Sequence, residues 1–152
     1  MIMKKQLYTA ILLLAGIAFF SACKKYEEGP GLSLLPKKMR LTEKLWASEE
    51  VIQNGIKFSP TEVYVSYSFK KSGGFEKYES FNDGTVQTNQ YTYFGDWYFS
   101  NDKETIYLIY ESGYVGELQI LRLTNKELWV NEEYTASNGN HYLRKFKFAH
   151  NR

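Results

Sequence analysis

The stretch VYVSYSFKKSGGFEKYESFNDG, residues 63–84, decides the fold. Val63, Val65, Tyr67 and Phe69 alternate with Tyr64, Ser66, Ser68 and Lys70. A period of two sends successive side chains to opposite faces, so this run reads as a strand with one buried face. Ser72-Gly73-Gly74 interrupts it, FEKYESF resumes, and Asp83-Gly84 ends the second run. Asp-Gly supplies the positive φ angles of a tight hairpin turn. The unit is two antiparallel strands.

The same rhythm continues in both directions. Asn54-Gly55 separates WASEEVIQ from IKF, and further turns are marked at Ser100-Asn101-Asp102, Ser112-Gly113, Thr124-Asn125-Lys126 and Ser137-Asn138-Gly139. In the last run Tyr142, Arg144, Phe146 and Phe148 share one face, with Leu143, Lys145 and Lys147 opposite; earlier, Leu128 and Val130 oppose Trp129. No stretch of helical period exceeds a short turn at Pro36–Glu43. The sequence predicts an all-β fold: an antiparallel up-and-down meander of about eight or nine strands that closes as a barrel, which leaves no sheet edge exposed.

Outside this region the N-terminus has a different character. Lys4 and Lys5 precede LYTAILLLAGIAFF, fourteen uncharged residues at 7–20. A membrane-spanning helix needs ~20 apolar residues, so the run is short for a span and fits a secretory signal. Ser21 and Ala22 follow, then Cys23, the only cysteine in the chain. It has no partner for an intrachain disulfide. Residues 24–39, KKYEEGPGLSLLPKKM, mix charge with Gly and Pro and read as a tether. The expected organisation is a signal peptide at 1–22, a lipidated N-terminus and tether at 23–39, and a barrel domain at 40–152.

Three resemblances attach to these residues and to the start of the barrel region. FSAC, residues 20–23, resembles the lipobox of bacterial lipoproteins, which implies cleavage before Cys23 and lipid attachment to it. Lys25, Glu27 and Glu28 resemble the surface-export signal of Bacteroidota lipoproteins, with Tyr26 interposed. That implies an outer-membrane anchor facing the cell surface, or the periplasm as the alternative. RLTEKLW, residues 40–46, followed by EEVIQNG, resembles the opening of the lipocalin-like domains of such lipoproteins. This resemblance implies that Trp46 sits at the closed end of the barrel, covered by an Arg from the last strand, for which Arg144 is the candidate. The lipocalin motif at this place is Gly-x-Trp; Lys44 stands at its glycine position, and Gly95-Asp96-Trp97 carries its letters mid-chain.

Removing residues 1–22 takes away Lys4 and Lys5 and leaves seventeen basic residues facing seventeen acidic ones. A domain without a basic excess lacks the electrostatic footprint of nucleic-acid binding. His141 and His150 are the only histidines and have no ligand set at a metal-binding spacing, so no metal is expected, and no cofactor either. Glu76, Glu79, Asp96, Glu111 and Glu132-Glu133 read as solvated acids on outward strand faces, and no nucleophile stands out as catalytic. With 13 Tyr, 10 Phe and 3 Trp, the aromatics are the open question. Tyr67, Tyr91, Tyr93, Trp97 and Tyr107 either fill a small barrel or line a ligand cavity. The expectation is a non-enzymatic, membrane-anchored barrel that binds a small apolar or amphipathic molecule. The alternative is an accessory subunit docked on an outer-membrane protein complex.

Overall fold

Inward-facing Val65, Tyr67 and Phe69 are wholly buried in the computed structural model, and the strand that carries them is flanked by strands on both sides. The structure describes residues 35–82, 88–135 and 139–150. A short helix, α1 (Lys37–Leu41), precedes β1 (Leu45–Gln53), β2 (Ile56–Phe58), β3 (Val63–Phe69) and β4 (Gly74–Asn82). Then follow β5 (Thr88–Phe99), β6 (Thr105–Tyr110), β7 (Val115–Leu123), β8 (Glu127–Thr135) and β9 (His141–His150). All pairings are antiparallel, in the order β2-β1-β3-β4-β5-β6-β7-β8-β9, and β1 also pairs with β9. Eight strands close a barrel, with β2 as an extra strand on β1. The meander predicted from turn spacing is the fold observed.

β1 serves two partners along one edge. Leu45, Trp46 and Ala47 pair with β3, and Val51, Ile52 and Gln53 pair with β2. The Asn54-Gly55 turn joins β1 to β2 with both residues at positive φ, as the dipeptide predicts. Asp83-Gly84 and Ser137-Asn138 lie outside the described residues, as do Cys23, Lys25, Glu27 and Glu28. Gly95 is required by a close approach: a Cβ there would lie 2.0 Å from Ile109 O and 2.9 Å from a Phe75 ring carbon. At that point β5 stops pairing with β4 and continues along β6.

The half of the barrel next to α1 is filled. Trp46, Phe69, Ile106, Leu123, Leu128 and Phe148 are almost wholly buried there, and Leu41 of α1 plugs the end. Trp46 Nε1 donates to Leu41 O at 2.8 Å, so the indole satisfies a helix-end carbonyl while burying its ring. Phe69 packs edge-on to Trp97, and Tyr67 edge-on to Phe148, with ring centres 5.5 and 5.6 Å apart. α1 begins at Lys37 and buries Arg40 and Leu41, so the folded part starts three residues before the boundary expected at residue 40.

Candidate functional site

Beyond this filled half the interior changes character. On β4 the inward positions are Phe75, Lys77, Glu79 and Phe81; on β8 they are Leu128, Val130, Glu132 and Tyr134. Arg144 occupies the matching inward position on β9, one step from Phe146. Lys77, Glu79, Glu132 and Arg144 are each at most 6% exposed. Lys77 Nζ lies 2.9 Å from Glu79 Oε1 and 3.2 Å from Glu132 Oε1. Arg144 Nη1 lies 3.1 Å from Glu79 Oε1, and Nη2 lies 2.5 Å from Glu132 Oε2. Each carboxylate bridges both cations, and the ring of four carries no net charge.

Charges out of water persist only when paired this closely. Burial alone would push the Lys77 ammonium down, but Glu132 and Glu79 outweigh it and hold it above the ordinary lysine value. Burial would likewise raise the Glu132 carboxyl, and the charges of Lys77 and Arg144 reverse that and hold it low. Glu132 therefore stays ionised at neutral pH and is a poor proton donor. Burial lifts the Tyr67 hydroxyl far up and moves Tyr110 to about 12. Both phenols stay neutral beside the quartet.

The cations also sit against aromatic faces. Lys77 Nζ lies 5.5 Å from the Tyr67 ring centre and 5.8 Å from that of Tyr93. The Arg144 guanidinium lies 4.4 Å from the Tyr134 ring centre. Such contacts add ~0.5–2 kcal/mol each, more when desolvated. Donor capacity remains. Arg144 Nε is buried without a hydrogen-bond partner among the described residues, and the Tyr67 hydroxyl, beside Tyr110, closes no well-formed hydrogen bond.

Over the quartet lies a cavity of about 310 Å³, walled by Tyr93, Tyr110, Tyr114, Tyr134, Ser112 and Thr135. An adjoining hollow of about 400 Å³ shares Tyr114, Tyr134 and Thr135 and continues to Asn54, His141 and Tyr142 at the strand ends away from α1. The barrel is thus a cup: solid at the α1 end, hollow at the other, with a charged floor between. Among the described residues no group of three His, Cys, Asp or Glu is placed to hold a metal ion.

Residues 42–130, more than half of the chain, match the lipocalin-like domain family. The chain belongs to that family. No curated protein sequence matches the chain significantly. Among solved structures it is similar to bovine odorant-binding protein in complex with a selenium-containing odorant, at 13% identity and a TM-score of 0.53, over 80% of this chain and 76% of that one. The same bovine protein complexed with undecanal is similar at 14% identity and a TM-score of 0.51, over 80% of this chain and 77% of that one. At these identities the likeness concerns the fold, which is the one described above.

Against the lipocalin-like frame, the sequence-derived aromatic candidates are spread over five places. Tyr67 lies below the quartet, and Tyr93 lies in the cavity wall. Tyr91 shares the inward face of β5 but is 47% exposed, because β6 ends opposite Gly95 and leaves the start of β5 standing at the rim. Trp97 is core, 5% exposed and hydrogen-bonded through Nε1 to Lys70 O. Tyr107 is on the outer surface, stacked on Tyr98.

The expected Trp46–Arg144 pair does not form. β1 and β9 are neighbours, but their register sets Trp46 opposite His150 and Arg144 opposite Gln53. Seven residues of strand, about 23 Å at ~3.3 Å each, separate the two levels. The cation over Trp46 is Lys44, 5.5 Å from the ring centre, at the position where the family motif has glycine. The buried arginine at that end is Arg40, whose Nη1 donates to Leu123 O at 2.6 Å. Glu79 and Glu132, expected in solvent, are also corrected: both point inward. Their parity with Phe75 and Phe81, and with Leu128 and Val130, carried that signal.

Proposed function

We propose that the protein is a non-enzymatic binder of a small amphipathic molecule, held at the outer membrane by lipid on Cys23. The observation that carries the binding half is the cup itself, a hollow whose tyrosine walls stand on a charge-balanced floor. Tyrosine faces accept an apolar or aromatic body. Arg144 Nε and the Tyr110 hydroxyl offer a polar head its hydrogen bonds. A neutral quartet takes an uncharged head at least electrostatic cost, because an added ion would sit unbalanced in a buried site. The ligand class is therefore an uncharged, hydroxyl- or carbonyl-headed amphiphile.

Titration with 1-octanol, octanoate and octylamine, followed by NMR of the backbone amides, tests this. The alcohol is expected to bind most tightly, with shifts centred on Lys77, Tyr93, Tyr110 and Tyr134. Shifts absent from these residues with all three probes would end the reading.

The anchor half rests on Lys4 and Lys5, the apolar run and FSAC at residues 20–23. Cys23→Ser is expected to move the protein from the membrane fraction to the soluble one with its thermal transition intact. Glu27→Ala with Glu28→Ala is expected to lower protease accessibility on whole cells without changing lipidation. Docking on an outer-membrane protein complex is a second reading. It is favoured by one outer face of β5–β7, where Phe94, Tyr98, Ile109 and Val115 are each more than two-fifths exposed.

A further inference from the structure

Charge is divided unevenly between the two ends of the barrel. At the closed end, α1 and the turn after it hold Lys37, Lys38, Arg40 and Lys44. The β3–β4 turn adds Lys70 and Lys71, and the β5–β6 and β7–β8 turns add Lys103 and Lys126. The acids on these same segments are Glu43, Asp102 and Glu104. The described connections at the mouth carry no Lys or Arg, only Glu62 and Glu111. Eight cations thus sit at one pole against three acids.

Much of that charge is uncompensated. Lys38, Lys70, Lys71 and Lys126 are exposed and form no ion pair among the described residues. Lys44 is held below the ordinary lysine value by burial and by the Arg40 charge beside it. Leu35 and Met39, 40% and 53% exposed, project among these lysines. Apolar side chains ringed by lysine are the composition of a surface that rests on lipid headgroups.

The path of the chain points the same way. Leu35 is where the described chain begins, at this pole, and Cys23 lies twelve residues upstream, ~40 Å at full extension. A domain tethered so shortly by one pole presents that pole to whatever holds the tether. We propose that the closed end is a docking face for an anionic lipid surface, so that the mouth of the cup opens away from the bilayer. The proposal takes its setting from the anchor reading, while the attraction itself belongs to the folded domain.

Every described strand and core residue lies within Leu41–His150, so the unlipidated chain from residue 23 with Cys23→Ser carries the described fold and isolates the attraction from the anchor. Sedimentation with vesicles of phosphatidylcholine, alone or mixed with phosphatidylglycerol, at low ionic strength is the test. Binding is expected only to the mixed vesicles and to vanish as salt is raised. Lys70→Gln, Lys71→Gln and Lys126→Gln together should weaken it by about tenfold or more, and Lys57→Gln, away from this pole, should not. Thermal melts confirm that each variant is folded. Binding to neither vesicle, equal binding to both, undiminished binding of the triple variant, or capture by duplex DNA without preference for anionic lipid would each overturn the proposal. Failure of the anchor reading would show elsewhere, as Cys23→Ser leaving the protein in the cell's membrane fraction.

Discussion

The two halves of the barrel are built from the same eight strands and differ in how they are filled. Below Tyr67 the inward positions carry Trp, Phe, Leu and Ile, almost wholly buried. Above it the same inward positions carry Lys77, Glu79, Glu132 and Arg144, with open volume over them. The lower half stabilises by removing apolar surface from water, at roughly 25 cal/mol per Å². The upper half must first meet the cost of drying four charges, and it does so by letting each carboxylate touch both cations. One half is made for stability, while the other retains polar groups that a packed core would have eliminated.

Removing one member of the quartet should break the comparison most sharply. Lys77→Met leaves two buried carboxylates with one cation, and a loss of ~3–5 kcal/mol is expected in chemical denaturation. Replacing all four by apolar residues of similar size should cost far less, or stabilise. If the single substitution were the milder of the two, the ring would not be acting as a unit.

Trp46→Ala, the matching lesion in the lower half, is expected to cost ~3–5 kcal/mol through an emptied core volume. It should leave octanol affinity unchanged, which Lys77→Met should not. A smaller loss of ~1–3 kcal/mol is expected of Gly95→Ala, because the new Cβ would force β5 from Ile109.

In the upper half, acid acts through Glu132. Glu132 is held below its ordinary value of 4.5, so the unfolded chain takes up a proton first. Its contribution is full above that value and is lost as pH falls through the folded one. Lys77 is raised, so its contribution holds below the ordinary lysine range and fades as pH climbs past it. Melting temperature against pH should therefore fall on both flanks, and the all-apolar quartet variant should lose the part of the acid-side fall that Glu132 supplies, keeping the part due to Glu50 and Glu62. The smallest expected effect is a coupling: Trp46→Ala and Arg144→Ala should add within ~0.5 kcal/mol, since the register keeps them apart. A larger coupling would overturn the register.

Strand positions and barrel closure were legible in the sequence because turns and period two are local signals. Gly-Gly at 73–74 and Asn-Gly at 54–55 announce themselves without tertiary context. The quartet is not legible there, although period two sets Arg144 on one face with Phe146 and Phe148. Glu79 and Glu132 sit on β4 and β8, which are not neighbours in the sheet and meet only across the interior once it closes. Nothing local distinguishes an acid that faces water from one that faces a distant lysine. Trp46 and Arg144 failed for a related reason: strand adjacency was foreseeable, but residue-level register between the first and last strands was not.

The β1–β9 seam bears on how fast this barrel assembles. The other neighbours along the meander are consecutive or nearly consecutive strands, whereas Ala47 must find Ala149 across almost the whole domain. Early hairpins are cheap in chain entropy, while a pairing at that separation is slow to find. Until β9 arrives, Phe146 and Phe148 are missing from the interior and Tyr67 lacks its edge-on partner. Arg144 is missing too, so Glu79 and Glu132 have only Lys77 between them until the final strand docks. β9 thus both seals the wall and neutralises its contents, which makes its docking the event that commits the barrel to its native state.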